Sequence, residues 1–224
     1  MAKEDRLEME EQYAESEQVS EQRETLRQKK KIARARWVIC IVMLFFFVAI
    51  KFTGYRRDVE TYSPEKLEAF LEYTFEQECK VEFDKFSYFL SPGESAYLSY
   101  IVHVTLRDGT KTYFSAQWKR NSRVDDGVYT DYGERLVSHY ADKYGITYTH
   151  QKHWSELMLT ETDLTDTPSA FEQFMEALYD SDYIQAGQEI SLQIKAEGRL
   201  VSENVDVNME EPVDVKEIAK KFSR

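Results

Sequence analysis

Cysteine, glycine, proline and asparagine are all scarce in this chain, and their scarcity limits the kinds of protein to which it can belong. Among 224 residues there are two cysteines, eight glycines and four prolines. Cys40 lies in an apolar run and Cys79 beyond it, so we expect no disulfide within the C-terminal part. Asn121, Asn204 and Asn208 all lack the N-x-Ser/Thr pattern of glycosylation. Because secreted eukaryotic domains often carry disulfides, these absences favour a bacterial-type cell envelope.

Basic residues are in the minority over most of the chain. Residues 58–224 hold 32 acids and 17 bases. Phosphate binding needs a basic surface, so nucleic acid is excluded as the expected partner. The few glycines form no phosphate-binding loop, and no spacing identifies a catalytic triad or a cofactor motif. We therefore expect no cofactor and identify no catalytic residue.

What the sequence does contain is one long apolar run. Residues 37–50 include no charge in fourteen positions, but at ~1.5 Å per residue they span only about 21 Å. The hydrocarbon core is ~30 Å thick, so we extend the predicted transmembrane helix to residues 37–55. The anchoring residues, with aromatics at both ends and a lysine that can extend to the headgroups, are Trp37, Phe45, Phe46, Phe47, Lys51 and Tyr55.

A buried helix of a soluble core and a cleaved signal peptide are the alternatives to a membrane anchor. The arginines on both sides of the run argue against a core helix. No small-x-small cleavage site follows the run, which argues against a signal peptide. We therefore predict an uncleaved signal-anchor of a single-pass membrane protein, which contacts the lipid bilayer through residues 37–55.

The direction of the anchor follows from the basic residues beside it. Residues 23–36 hold seven Lys or Arg, whereas Lys51, Arg56 and Arg57 are the three at the other end. Positive charge stays on the cytoplasmic side, so we predict a cytoplasmic N-terminus and an extracytoplasmic C-terminal domain. The main topology-setting residues are Lys29, Lys30, Lys31, Arg34 and Arg36.

Four segments follow from this reading. Residues 1–36 are a charged, partly helical cytoplasmic tail, and residues 37–55 are the transmembrane helix. Residues 56–62 are a linker, and residues 63–224 are the extracytoplasmic domain, with a further boundary expected near residues 150–168.

Capping patterns predict four helices in the domain. They begin at Ser63-Pro64, at Asp131, after Thr167-Pro168 and at Asp214. The second is predicted to end at Gly145. The third should bury Phe171, Phe174, Met175 and Leu178.

Alternating apolar residues predict the strands. Residues 98–106 and 112–118 flank the hairpin turn Arg107-Asp108-Gly109-Thr110, and a later pair flanks Glu197-Gly198. Upstream, residues 81–90 change phase near Lys85, which predicts a bulge or bend. The resulting class is α+β, with an antiparallel sheet packed by helices. This plan resembles that of cystatin-like and NTF2-like domains. The layout of a short cytoplasmic tail, one span and a compact outer domain is similar to that of NTF2-like assembly subunits of bacterial type IV secretion machines.

His150, His153 and Glu156 are the candidates for metal-assisted chemistry. On a helix, their i, i+3, i+6 spacing would bring the two imidazoles near one face, but a convincing third ligand is missing. No metal site is therefore assigned.

Three functions stay open. The first is protein interaction or complex assembly, with a protein partner or a homo-oligomer, through Tyr97, Ile101 and Tyr113 on one sheet face. The second is a membrane-tethered hydrolase with a metal at His150 and His153. The third is relay of a signal from the domain to the tail.

Overall fold

The protein is described by a computed structural model that covers residues 4–91, 95–151, 154–165, 168–198 and 202–222, with side chains from residue 28 onward. The chain divides into two compact units, Met1–Arg57 and Asp58–Arg224.

Helix α1 extends from Glu4 to Thr61 without a break. It contains the whole predicted span 37–55, and it continues through residues 56–61, where a linker was expected. The tail, which was expected to be partly helical, is helical from Glu4 and continues into the apolar segment. Ser63 has an extended backbone and Pro64 occupies the first turn of the next helix, so the chain turns between them.

The first sheet, sheet A, contains four antiparallel strands in chain order. They are β1 Cys79–Phe83, β2 Tyr97–Thr105, β3 Lys111–Lys119 and β4 Val128–Thr130. Strands β2 and β3 form the predicted hairpin, with Tyr97 opposite Lys119 and Thr105 opposite Lys111. Gly109 has φ +83° in the turn, a conformation that glycine adopts without strain.

Helices α2 Pro64–Phe75 and α4 Tyr132–Tyr144 confirm two of the predicted helices. Leu67, Leu71 and Phe75 form the buried stripe of α2. Helix α4 ends at Gly145, which has φ +74°. An aromatic cluster forms part of the core, since the ring of Phe114 stacks on that of Tyr132 with centroids 4.4 Å apart.

The second sheet, sheet B, differs from the predicted antiparallel arrangement. Its strands are β5 Thr147–His150, β6 Ser155–Leu159, β7 Ile190–Ala196 and β8 Ser202–Val207. The pair β6–β7 is parallel, because helices cross from the end of one strand to the start of the other. These helices are α5 Glu161–Thr165, α6 Ala170–Tyr179 and α7 Asp182–Gln185. Helix α8 Val215–Phe222 follows β8.

The α+β class is confirmed, and α6 buries the four predicted residues Phe171, Phe174, Met175 and Leu178. The cystatin-like or NTF2-like plan is not confirmed, because the described strands are divided between two sheets.

The expectation of a bulge near Lys85 was wrong. Residues Lys85–Leu90 form a short helix, α3. The Asp84 carboxylate accepts a hydrogen bond from the Ser87 amide at 3.0 Å, which is the usual N-cap interaction. The apparent change of phase is therefore a change from strand to helix.

Candidate membrane span and interaction surface

The apolar segment of α1 is long enough and apolar enough to cross a membrane. The qualifying stretch lies within Gln28–Thr61, and none of its apolar window is buried. Trp37 is 71% exposed and Phe45 72% exposed. A helix of a soluble core would bury one face, so the exposed rings on this helix favour a bilayer as its surroundings.

Sheet A has one face against the core and one face in solvent. Along β2 and β3 the side chains alternate between buried and accessible, as a pleated strand requires. The accessible set, called the outer face of sheet A, comprises Lys80, Glu82, Tyr97, Ser99, Ile101, His103, Thr105, Lys111, Tyr113, Ser115, Gln117, Lys119 and Tyr129. The predicted residues Tyr97, Ile101 and Tyr113 therefore share this face.

The middle of the outer face carries aromatic and uncharged polar groups. Ile101 lies opposite Ser115, and the rings of Tyr97 and Tyr129 meet edge to face with centroids 5.8 Å apart. Tyr113 and Tyr129 are 54% and 59% exposed. The charged members lie on the edge strand β1, where Glu82 is opposite Ile101, or at strand ends, where Lys119 is opposite Tyr97. Tyrosines and an apolar residue bordered by charges are typical of protein interfaces.

Arg135 on α4 extends this surface. Its guanidinium lies over the ring of Tyr113 at 5.5 Å, and its Nε is 3.4 Å from Asp131 Oδ2. Asp131 in turn accepts a hydrogen bond from the Ser115 amide. Tyrosine and arginine are the residue types that most often carry binding energy at interfaces, and here the two are already held together.

The structure describes two of the three candidate metal ligands, His150 and Glu156, and it does not bring these two together. His150 and Glu156 lie on the paired strands β5 and β6, not on a helix, and His153 lies outside the described residues. His150 is opposite Ser155, while Glu156 is opposite Thr149. Neighbouring positions of a strand point to opposite faces, so the imidazole and the carboxylate are on different sides of sheet B.

His150 and Glu156 also form hydrogen bonds with other side chains. The ring nitrogens of His150 are 2.6 Å from Ser138 Oγ and 2.8 Å from Ser155 Oγ. Glu156 accepts a hydrogen bond from Lys195 Nζ at 2.7 Å. Among the residues that the structure describes, no three His, Cys, Asp or Glu side chains are grouped so that they could hold a metal ion.

A cleft of the domain, about 790 Å³ in volume, is lined in part by paired charges. Lys143 Nζ is 2.8 Å from Asp108 Oδ2, and Arg107 Nε is 2.6 Å from Asp182 Oδ1. The hydrogen bond from Lys143 holds the pKa of Asp108 below its usual range, and the same bond raises the pKa of Lys143. Both groups therefore stay charged near neutral pH, so neither is poised to transfer a proton.

Cys79 is not an activated thiol. Burial, together with the nearby carboxylates of Glu72 and Glu68, raises its pKa to about 12. Since the thiolate is the reactive form, Cys79 acts as a small, half-buried apolar group.

A buried ion pair at the start of the domain was missed by sequence reasoning. Arg120 Nη2 is 2.7 Å from Asp58 Oδ2, with side-chain exposures of 15% and 4%. The Tyr88 hydroxyl donates to the same oxygen at 3.1 Å. Next to it, the Tyr100 hydroxyl donates to the Tyr62 carbonyl at 2.9 Å. This cluster fastens the last turn of α1 to sheet A.

Comparison with known proteins identifies no matching family, no matching characterised sequence and no matching solved structure.

Proposed function

We propose that the chain is a single-pass protein of a bacterial-type cell envelope whose extracytoplasmic domain binds another protein through the outer face of sheet A. The observation that carries the proposal is that face: accessible tyrosines near Ile101, bordered by charges on β1 and at strand ends, with Arg135 over Tyr113. It has the composition of a protein interface. The net negative charge of residues 58–224 disfavours nucleic acid and anionic lipid as occupants of the face.

The membrane placement rests on α1 and its flanking charges. One helix is long enough to span, and the basic cluster from Lys29 to Arg36 precedes it. Because such a cluster stays in the cytoplasm, the domain after residue 57 is expected on the far side.

Cysteine accessibility tests this topology. In intact cells, a membrane-impermeant maleimide is expected to label a Lys111→Cys variant, because this residue is exposed in the domain. A Gln28→Cys variant, whose residue lies beside the basic cluster, should react only after the membrane is permeabilised. The measurement is labelling of the full-length chain on a gel, in a background where both native cysteines, Cys40 and Cys79, are replaced by alanine. Reversed labelling of the two positions contradicts the proposed orientation.

Photo-crosslinking tests the interaction surface. A photo-reactive phenylalanine at Tyr113 is expected to capture a protein partner in whole cells. The matched control is Tyr73 on α2, which is 86% exposed but lies on a different surface. We expect an adduct at Tyr113 and none at Tyr73. Adding Ile101→Asp should reduce the adduct by about tenfold or more, because a charge then enters the uncharged centre of the face.

Two results distinguish the alternatives. An adduct of twice the 26.5 kDa chain mass identifies a second copy as the partner. Equal adducts at Tyr113 and Tyr73, or none at either position, contradict the assignment of the outer face as the interaction surface.

A further inference from the structure

Helix α3 leaves its apolar residues in solvent. None of its six residues is buried. Phe86 is 76% exposed, Leu90 is 65% exposed and Phe89 is 37% exposed. At 100° per residue these three side chains fall within one third of the helix circumference. Three adjacent large apolar groups on so short a helix form a patch that a soluble surface rarely carries.

The opposite side of α3 is fixed to the domain. The ring of Tyr88 packs edge to face on Phe83 with centroids 5.6 Å apart, and its hydroxyl donates to Asp58 Oδ2. The Asp84 cap begins the helix and the Ser91 amide bonds to the Ser87 carbonyl at its end. The direction in which the apolar patch points is therefore set by Tyr88 and by both ends of the helix.

Chain connectivity sets the position of α3 with respect to a bilayer. Asp58 follows Tyr55, the last residue of the predicted span, by three residues, which is about 4.5 Å of helix. Whatever is bonded to Asp58 must then lie close to the bilayer surface, however the domain is turned. The interfacial layer beyond the hydrocarbon is itself several ångström thick on each side, so the residues of α3 are within its reach.

We infer that α3 is a second membrane contact, and that Phe86, Phe89 and Leu90 enter the interfacial region of the bilayer that α1 spans. This inference rests on the membrane anchoring in the proposed function. It does not depend on the protein partner of sheet A. Short amphipathic elements bind at this depth through an apolar face beside basic groups, and Lys85 begins α3 while Arg56 and Arg57 precede Asp58. Two contacts, the span and α3, then restrict how the domain can turn above the membrane.

Depth-dependent quenching tests this contact. Full-length chains in which Cys40 and Cys79 are replaced by alanine receive a single cysteine, labelled with an environment-sensitive fluorophore. They are reconstituted in vesicles of phosphatidylcholine and phosphatidylglycerol that contain a lipid with a nitroxide on its acyl chain. The positions compared are Leu90→Cys, Phe45→Cys in the span, and Lys111→Cys. Lys111 and Lys119 lie at opposite ends of strand β3, about 26 Å apart. Lys119 precedes Arg120, the partner of Asp58, so Lys111 is the control position far from the end of α1.

We expect strong quenching at Phe45, quenching of roughly half the emission at Leu90, and little at Lys111. A Phe86→Glu replacement should lower the quenching at Leu90 about threefold, since it places a charge in the patch. Phe86 is 76% exposed, so we expect its replacement to leave the fold unchanged, and an unchanged urea unfolding midpoint verifies this.

The other outcomes overturn the inference in distinguishable ways. If Phe45 is quenched and Leu90 is not, the anchor stands and the α3 contact fails. If neither is quenched, the span itself fails, and with it the membrane part of the proposed function. A separate measurement in detergent uses iodide, a quencher that stays in water. If the Leu90 label is protected from iodide only at high protein concentration, a second copy of the chain covers the patch instead of lipid.

Discussion

Replacing Asp58 by alanine is expected to lower the free energy of unfolding of the domain by about 3 kcal/mol. The carboxylate is 2.7 Å from Arg120 and almost inaccessible to solvent. Removing the carboxylate leaves the largely buried Arg120 guanidinium with little access to water that could replace the lost hydrogen bond. The Tyr88 hydroxyl loses its acceptor as well. Urea titration of the full-length chain in a mild detergent, followed by tryptophan fluorescence, measures the change.

A double replacement distinguishes the cost of leaving one buried charge unpaired from the net contribution of the ion pair to the free energy of unfolding. Asp58→Leu with Arg120→Met removes both charges, and we expect it to recover most of the lost stability, because well-packed apolar groups often replace a buried ion pair without loss. The control is Glu82→Ala, which breaks an exposed pair with Lys80 and should change stability by less than about 1 kcal/mol. An Asp58→Ala effect no larger than that of the control contradicts the assigned role.

Replacing Phe114 by alanine should destabilise the domain by about 3–5 kcal/mol. The side chain is inaccessible to solvent. Its ring stacks on that of Tyr132 and meets the ring of Phe75 edge to face, with centroids 6.0 Å apart. The cavity would open where α2, α4 and β3 meet. The same denaturation experiment measures the loss.

Tyr113 is the matched control, because it is the preceding residue of β3 and points to the outer face. Tyr113→Ala should change stability by less than about 1 kcal/mol, mainly through the lost contact with Arg135. It should nevertheless abolish the partner contact proposed above. Comparable destabilisation by the two replacements would mean that the assignment of buried and outer faces is wrong.

Local sequence signals account for much of the fold. The Ser63-Pro64 pair begins α2, and Gly145 ends α4. The turn at Gly109 joins β2 to β3. Each of these features depends on residues within a few positions of one another, so the sequence predicts them directly.

The features that sequence reasoning missed have two physical origins. Phe86, Tyr88 and Leu90 recur at every second position, as in a strand, but the Ser87 amide donates a hydrogen bond to Asp84 and a helix begins at Lys85. Asp84, a preferred N-cap residue type, was the available signal. Strands β5 and β6 are short, and β6 is fixed by its parallel pairing with β7, whose partners are distant in sequence. No local pattern records such a pairing.

The residues of the candidate surface could be grouped from local sequence patterns, whereas those of the buried ion pair could not. Tyr97, Ile101 and Tyr113 could be placed on one face from alternation and the hairpin register alone. Asp58 and Arg120 are 62 positions apart and lie in segments without a regular pattern, so nothing in the sequence pairs them.

The parallel pairing of β6 and β7 also constrains the order in which the domain can fold. Sheet A is complete once the chain reaches Thr130, and its hairpin closes over a short loop. Strand β6 must wait for residues 160–189 before β7 can pair with it, and closing that longer loop is slower. Until then the apolar strand with Leu157 and Leu159 presents an open edge, which invites pairing with other chains. A nascent or truncated chain that stops before Ile190 is therefore the form of this protein most prone to aggregate.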